Sequence, residues 1–173
     1  MLKAHEAAFD AALPWVAEAR RFAVEGLAID RPHPGPHQPV FRWVYGLNRV
    51  TPLRLPWCGL FVAHCLRRSF GEIPLPRGHA RARPWMGWAD PSEPQIGAVM
   101  VFWHYHPRLP FGHVAFYVAE DDTAFHVLGG NQLNKVCIMR YPKVRLLDCR
   151  WPGGTVPSGQ RIFAPPGHAH PFG

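Results

Sequence analysis

Cys58 and His113 are the residues whose types and surroundings suit nucleophilic chemistry. Cys58 follows Pro56-Trp57 and opens the run CGLFVAHCLRRSF, in which Leu60, Phe61, Ala63, His64, Cys65 and Leu66 recur at helical spacing until Gly71 ends the pattern. A thiol in the first turn of a helix faces the positive end of the helix dipole, and a neighbouring imidazolium further lowers its pKa from about 8.5. The base must come from elsewhere in the chain. His113, preceded by Gly112, opens a β-favouring run from which an imidazole can point into that helix start. A third polar group would orient the ring. Asn131 is the candidate, because it follows Gly129-Gly130 at the end of the next run, and antiparallel neighbours joined at Asp121-Asp122 bring their far ends side by side.

Helix-borne Cys58, then strand-borne His113, then Asn131 is an order suited to acyl transfer. In such a reaction the Cys58 thiolate would attack a carbonyl, His113 would protonate the leaving group, and water activated at His113 would release the acyl-enzyme. The Cys58 backbone N–H would hold the oxyanion together with a second donor that the sequence does not identify. Trp57, Trp103 and Tyr105 are candidate walls of a substrate groove. Each residue also has a purely structural reading: a packed thiol, one of eleven histidines, a turn asparagine, core aromatics.

Helices followed by strands must position these groups. Pro14 fits the first turn of a helix through Trp15, Ala19 and Phe22. Residues 31–39 hold four prolines and read as a loop, with chain resuming over 41–47. A short helical candidate spans 80–88. From Gln95 onward, β-favouring runs occupy 98–103, 113–119, 123–128, 135–139 and 144–150, with Asp121-Asp122 and Gly129-Gly130 as turns. The expected class is α+β: N-terminal helices, one starting at the nucleophile, packed on an antiparallel sheet. Residues 1–152 form one catalytic domain in this reading, and 153–173 form a Pro- and Gly-rich tail lying on its surface or fraying.

With 173 residues, 47% of them hydrophobic, the chain can bury an ordinary core. No apolar run is long enough for a membrane span, and residues 1–10 do not read as a signal peptide. The expectation is synthesis in the cytoplasm without membrane insertion. A net charge of +7 favours polyanions, but the basic residues are scattered and no nucleic-acid motif is present, so nucleic acid is not an expected partner. The four cysteines have no zinc-finger spacing. Cys58 and Cys65 are too far apart on one helix for a disulfide, and Cys137 and Cys149 read as buried free thiols, although neighbouring strands could bring them together. No cofactor is expected. A rival reading gathers His104, His106 and His113 with Cys65 or His126 into a zinc site.

These residues also resemble a family. Pro56-Trp57-Cys58 with Phe61-Val62 is similar to the nucleophile motif of NlpC-type and CHAP (cysteine, histidine-dependent amidohydrolase/peptidase) cell-wall hydrolases. Gly112-His113-Val114 with Phe116-Tyr117-Val118 resembles their histidine strand. Leu128-Gly129-Gly130-Asn131-Gln132 resembles the following strand of a bacterial and phage-associated branch. That branch also tends to share Pro14-Trp15, Tyr141-Pro142, Arg145 and Arg150-Trp151-Pro152. The likeness runs from about Pro14 to Pro152. It departs where the branch often has Gly-Val-x-Glu and this chain has Phe22-Ala23-Val24-Glu25-Gly26, and in the His-Tyr-His-Pro at 104–107.

The resemblance implies a papain-like fold and hydrolysis of an amide bond in the peptide part of peptidoglycan by Cys58 and His113. Related enzymes use His, Asn, Gln, Glu or Asp as the third group. A wall substrate without a signal peptide suits two routes. One is delivery as an antibacterial toxin by a contractile secretion apparatus, with a small immunity protein as partner; the other is release at lysis as a phage-type endolysin. The rival from another class is a non-catalytic wall-binding module.

Overall fold

The computed structural model describes residues 12–25, 56–153 and 161–163. The expected loop at 31–39, the segment 41–47 and most of the tail lie outside the described residues.

Helix α1 spans Pro14–Val24, with proline at its start, where the missing N–H would have had no helical partner. Its buried face is Trp15, Val16, Ala19 and Phe22. Arg21 bridges Glu18 and Glu25 on its exposed face, three and four residues away along one helix stripe. Trp15 anchors the helix to the sheet: its Nε1 donates to the Gly97 carbonyl at 2.9 Å, and its ring meets the Trp151 edge at 5.5 Å.

Helix α2 spans Cys58–Phe70 and ends at Gly71, whose φ of 68° is a conformation glycine adopts without side-chain strain. Leu60, Phe61, Val62, Ala63, Cys65 and Leu66 are all buried. Full burial of a side chain such as Leu60 or Phe61 stabilises the fold by about 1.5–3 kcal/mol, so α2 is fixed chiefly by packing. The expected helix over 80–88 contracts to a 3-10 turn, Arg83–Trp85.

Among the described residues six antiparallel strands form one sheet: β1 Asp90–Pro91, β2 Val99–Trp103, β3 Gly112–Glu120, β4 Ala124–Gln132, β5 Lys135–Pro142 and β6 Leu146–Trp151, in the order β1-β6-β2-β3-β4-β5. The architecture is the α+β, papain-like one, with both helices packed on the sheet. β5 and β6 follow each other in sequence but do not pair, so Cys137 and Cys149 stand on separated strands, and all four cysteines are free. Trp103 Nε1 donates to the Val144 carbonyl at 3.2 Å, drawing the end of β2 to the turn between β5 and β6.

Asp121 organises the β3–β4 turn. Its Oδ1 accepts the Thr123 and Ala124 N–H groups, and its Oδ2 receives His126 at 2.7 Å and Arg140 at 2.8 Å. Gly129-Gly130, by contrast, is no turn. β4 runs through both glycines and the reversal comes at Leu133-Asn134, with φ of 51° and 67°. Of the tail, residues 161–163 lie on the sheet: the Glu120 N–H donates to the Ile162 carbonyl, and Arg161 pairs with the fully buried Glu120 carboxylate, which also receives Lys143 at 2.7 Å.

Candidate active site

Cys58 is the first residue of α2 and His113 the second of β3, so packing α2 against β3 and β4 decides where the thiol meets the imidazole. The sheet admits the helix closely because Gly130 has no side chain. A Cβ there would stand 2.4 Å from a Trp57 ring carbon and 2.6 Å from the Phe61 Cβ. Three backbone N–H groups, those of Cys58, Gly59 and Val114, act on the Cys58 sulfur and favour its thiolate. The Val114 contact puts the sulfur at the peptide that carries His113.

Burial opposes those donors and outweighs them. Cys58 is 1% exposed and its thiol is pushed above the ordinary range, while burial of His113 lowers the imidazole to about 3 despite its bond to Gln132. Burial thus favours a neutral thiol and a neutral imidazole over the thiolate–imidazolium pair expected at the helix start.

The orienting hydrogen bond expected of Asn131 is made by Gln132. His113 Nε2 lies 3.0 Å from Gln132 Oε1. The Gln132 amide nitrogen donates to the Cys137 and Val127 carbonyls, which fixes Oε1 as the end facing the ring. His113 Nε2 then carries the proton, and Nδ1 is left as the basic nitrogen. The reassignment has a backbone cause. Facing strands pair Phe116 with Leu128, and strict alternation from there would put Asn131 beside His113. A bulge between Gly129 and Gln132, with Asn131 at φ 60°, resets the alternation and turns Gln132 inward. Gly129 supplies the room, since a Cβ there would stand 3.1 Å from His113 Nε2 and 3.2 Å from Gln132 Oε1.

Of the expected groove walls, Trp57 is wholly buried, edge-on to Phe61 and tight against Gly130. It is a core residue and not a wall; its place before the helix start, where α2 presses on β4, dictates that burial. Trp103 is half-buried beneath the Arg145 guanidinium, 5.1 Å from its ring. Tyr105 is 82% exposed with its ring edge-on to Phe111. The zinc reading does not assemble. Among the described residues no three His, Cys, Asp or Glu side chains are placed to hold a metal, His113 being committed to Gln132 and His126 to Asp121.

Sequence reasoning missed Gln132 and Tyr141. Gln132 had a signal, its place one residue beyond the candidate third group. Tyr141 had its place in the shared Tyr141-Pro142 pair but nothing that tied it to the site: it comes from β5, with its ring parallel to His113 at 4.8 Å and 3°.

Residues 50–131 match the family model of the CHAP domain, the segment that carries Cys58 and His113 and stops one residue short of Gln132. The match agrees with the likeness to NlpC-type and CHAP enzymes read from the motifs and with the papain-like fold. It points to a hydrolase of the amidase or peptidase kind with peptidoglycan as substrate. No curated protein matches the chain. No helix among the described residues is long and apolar enough to cross a membrane.

Proposed function

We propose that the protein hydrolyses an amide bond in the peptide part of peptidoglycan, with Cys58 as nucleophile, His113 as general base and acid, and Gln132 as the group that orients His113. The observation that carries this reading is the Cys58 sulfur at the helix start and at the Val114 N–H, on the peptide that joins Val114 to His113, whose tautomer Gln132 fixes. Residues 1–152 constitute the catalytic domain in this reading.

In this reading burial keeps both groups neutral before substrate binds, and activation occurs at the moment of attack. His113 Nδ1 takes the Cys58 proton as the sulfur bonds to the substrate carbonyl carbon, and the carbonyl π pair moves to oxygen. The backbone N–H of Cys58, unpaired within the helix because it lies in the first turn, stabilises that oxyanion. The tetrahedral species collapses with loss of the amine, which takes its proton from His113. Water, deprotonated by His113, then attacks the thioester carbonyl and frees Cys58. Gln132 keeps the ring in one orientation throughout and supports the imidazolium by accepting from Nε2.

The +7 charge suits a substrate with anionic polymers, since a basic surface concentrates the enzyme on it. Antibacterial effector and phage-type endolysin are the two settings proposed for this chemistry. An effector is accompanied by a neutralising protein that binds it tightly; an endolysin is not. Muropeptide mass spectrometry after digestion of purified peptidoglycan tests the activity. The expected products are pairs of fragments, one with a new carboxyl and one with a new amine end, whose masses sum to the parent plus one water, and a digest indistinguishable from the undigested control removes the proposal.

A further inference from the structure

The chemistry above leaves one group unnamed, the second donor to the oxyanion. Tyr141 comes from β5 and lies over the site. Its ring is parallel to His113, with centroids 4.8 Å apart, and parallel to His104 at 6.1 Å, while His104 and His113 are themselves parallel at 6.1 Å. Phe102 backs the same ring at 4.9 Å. Tyr141 is thus held by packing on several sides and is only 9% exposed. Such packing fixes where its hydroxyl can be.

That hydroxyl has no hydrogen-bond partner among the described residues. Tyr117, the other buried tyrosine among the described residues, donates to Glu120 at 3.1 Å. The Tyr141 ring is packed but the hydroxyl oxygen is not sealed from solvent, so it is open to a ligand that reaches the site. Burial, and after it the charge a thiolate at Cys58 would carry, keeps the Tyr141 phenol protonated well beyond neutral pH. It is a donor, not a base.

The geometry points to Tyr141 as a catalytic residue whose hydroxyl donates to the oxyanion formed when Cys58 attacks the substrate carbonyl, while its ring seats the His113 imidazole. The inference rests on Cys58 acting as nucleophile. In the step concerned, the sulfur–carbon bond forms, the carbonyl π pair moves to oxygen, and that oxygen accepts hydrogen bonds from the Cys58 N–H and the Tyr141 O–H. No proton leaves Tyr141. Collapse restores the carbonyl and expels the amine, protonated by His113.

Tyr141→Phe tests this, since it removes one oxygen and keeps the stacked ring. Three readouts are taken: hydrolysis of peptidoglycan fragments, binding of a peptide aldehyde that adds reversibly to Cys58, and the rate of Cys58 alkylation by iodoacetamide, a reaction that forms no oxyanion. The expected result is a kcat lower by about 10²- to 10³-fold with KM little changed, as for loss of one oxyanion donor. Aldehyde binding should weaken and alkylation should proceed at the wild-type rate. Wild-type hydrolysis by Tyr141→Phe overturns the inference. So does a fall in alkylation parallel to the fall in hydrolysis, which would mean that Tyr141 acts only through the thiol. Full activity of Cys58→Ala would instead remove the underlying reading. The aldehyde and alkylation arms need no knowledge of the natural scissile bond.

Discussion

His113 and Gln132 share one hydrogen bond, Nε2 to Oε1 at 3.0 Å, and its polarity is set from the far side of Gln132, whose amide nitrogen donates to the Cys137 and Val127 carbonyls. Rotating that amide would turn its oxygen onto two carbonyl oxygens and lose both of those bonds, so the ring is held in a single tautomer.

Replacing Gln132 with Ala should therefore lower kcat by about 10- to 100-fold, because a freely turning imidazole presents Nδ1 to the sulfur only part of the time. Gln132→Glu should keep more activity than Gln132→Ala, since a carboxylate still accepts from Nε2. Asn131→Gly, which preserves the positive φ, should hydrolyse at close to the wild-type rate. Steady-state kinetics on one muropeptide substrate separates the three; a larger loss in Asn131→Gly than in Gln132→Ala would return the orienting role to Asn131.

That exchange of neighbours shows where the sequence ran out. The start of α2 at Cys58, the strand opened by His113 and the α+β class were all legible, because apolar spacing, Pro14 and Gly71 are local signals. The bulge was not. It depends on what β4 must pass: Gly129 is small because His113, Ala115 and Gln132 crowd it, and Gly130 because Trp57 and Phe61 do. Paired glycines chosen for close approach look the same in sequence as paired glycines chosen for a turn. Trp57 has the same history, its neighbour Cys58 suggesting a groove and its burial being decided by how α2 meets β4. Tyr141 arrives from a strand whose place in the sheet no local pattern fixes.

Gly130→Ala should destabilise the fold by about 1–3 kcal/mol, because the new Cβ meets packed ring and helix atoms that cannot yield singly. Gly129→Ala should act more on chemistry, since its Cβ would crowd the His113–Gln132 bond as well as Ala115. Urea unfolding beside a hydrolysis assay distinguishes the two. Equal tolerance of both substitutions would contradict the close packing described for β4.

Cys58 alkylation carries a pH signature. Burial raises the thiol, so the thiolate fraction at neutral pH is small and the iodoacetamide rate should keep climbing as pH rises through and beyond the ordinary thiol range. A preformed ion pair would give instead a plateau reaching down into mildly acidic pH. Mapping the labelled peptide by mass spectrometry assigns the rate to Cys58.

Stability should also respond to acid through His113. Its folded value, about 3, lies below the 6.5 of an unperturbed histidine. The unfolded chain accordingly takes up a proton that the folded state refuses once pH falls below that value. The contribution of neutral His113 to folding is complete above pH 6.5 and is lost as pH drops from 6.5 towards 3. Melting temperature measured across that window should fall more steeply for the wild type than for His113→Gln. Parallel curves would show that His113 takes its proton in the folded state at an ordinary pH.

The most direct measurement compares wild type with Cys58→Ala on purified peptidoglycan, with both proteins folded by circular dichroism. The variant removes only the sulfur from a buried site that can hold an alanine, and hydrolysis is expected to fall by at least about 10⁴-fold, the usual consequence of losing a covalent nucleophile. Retention of wild-type activity by Cys58→Ala would contradict the assignment of Cys58 as nucleophile and the mechanism built on it.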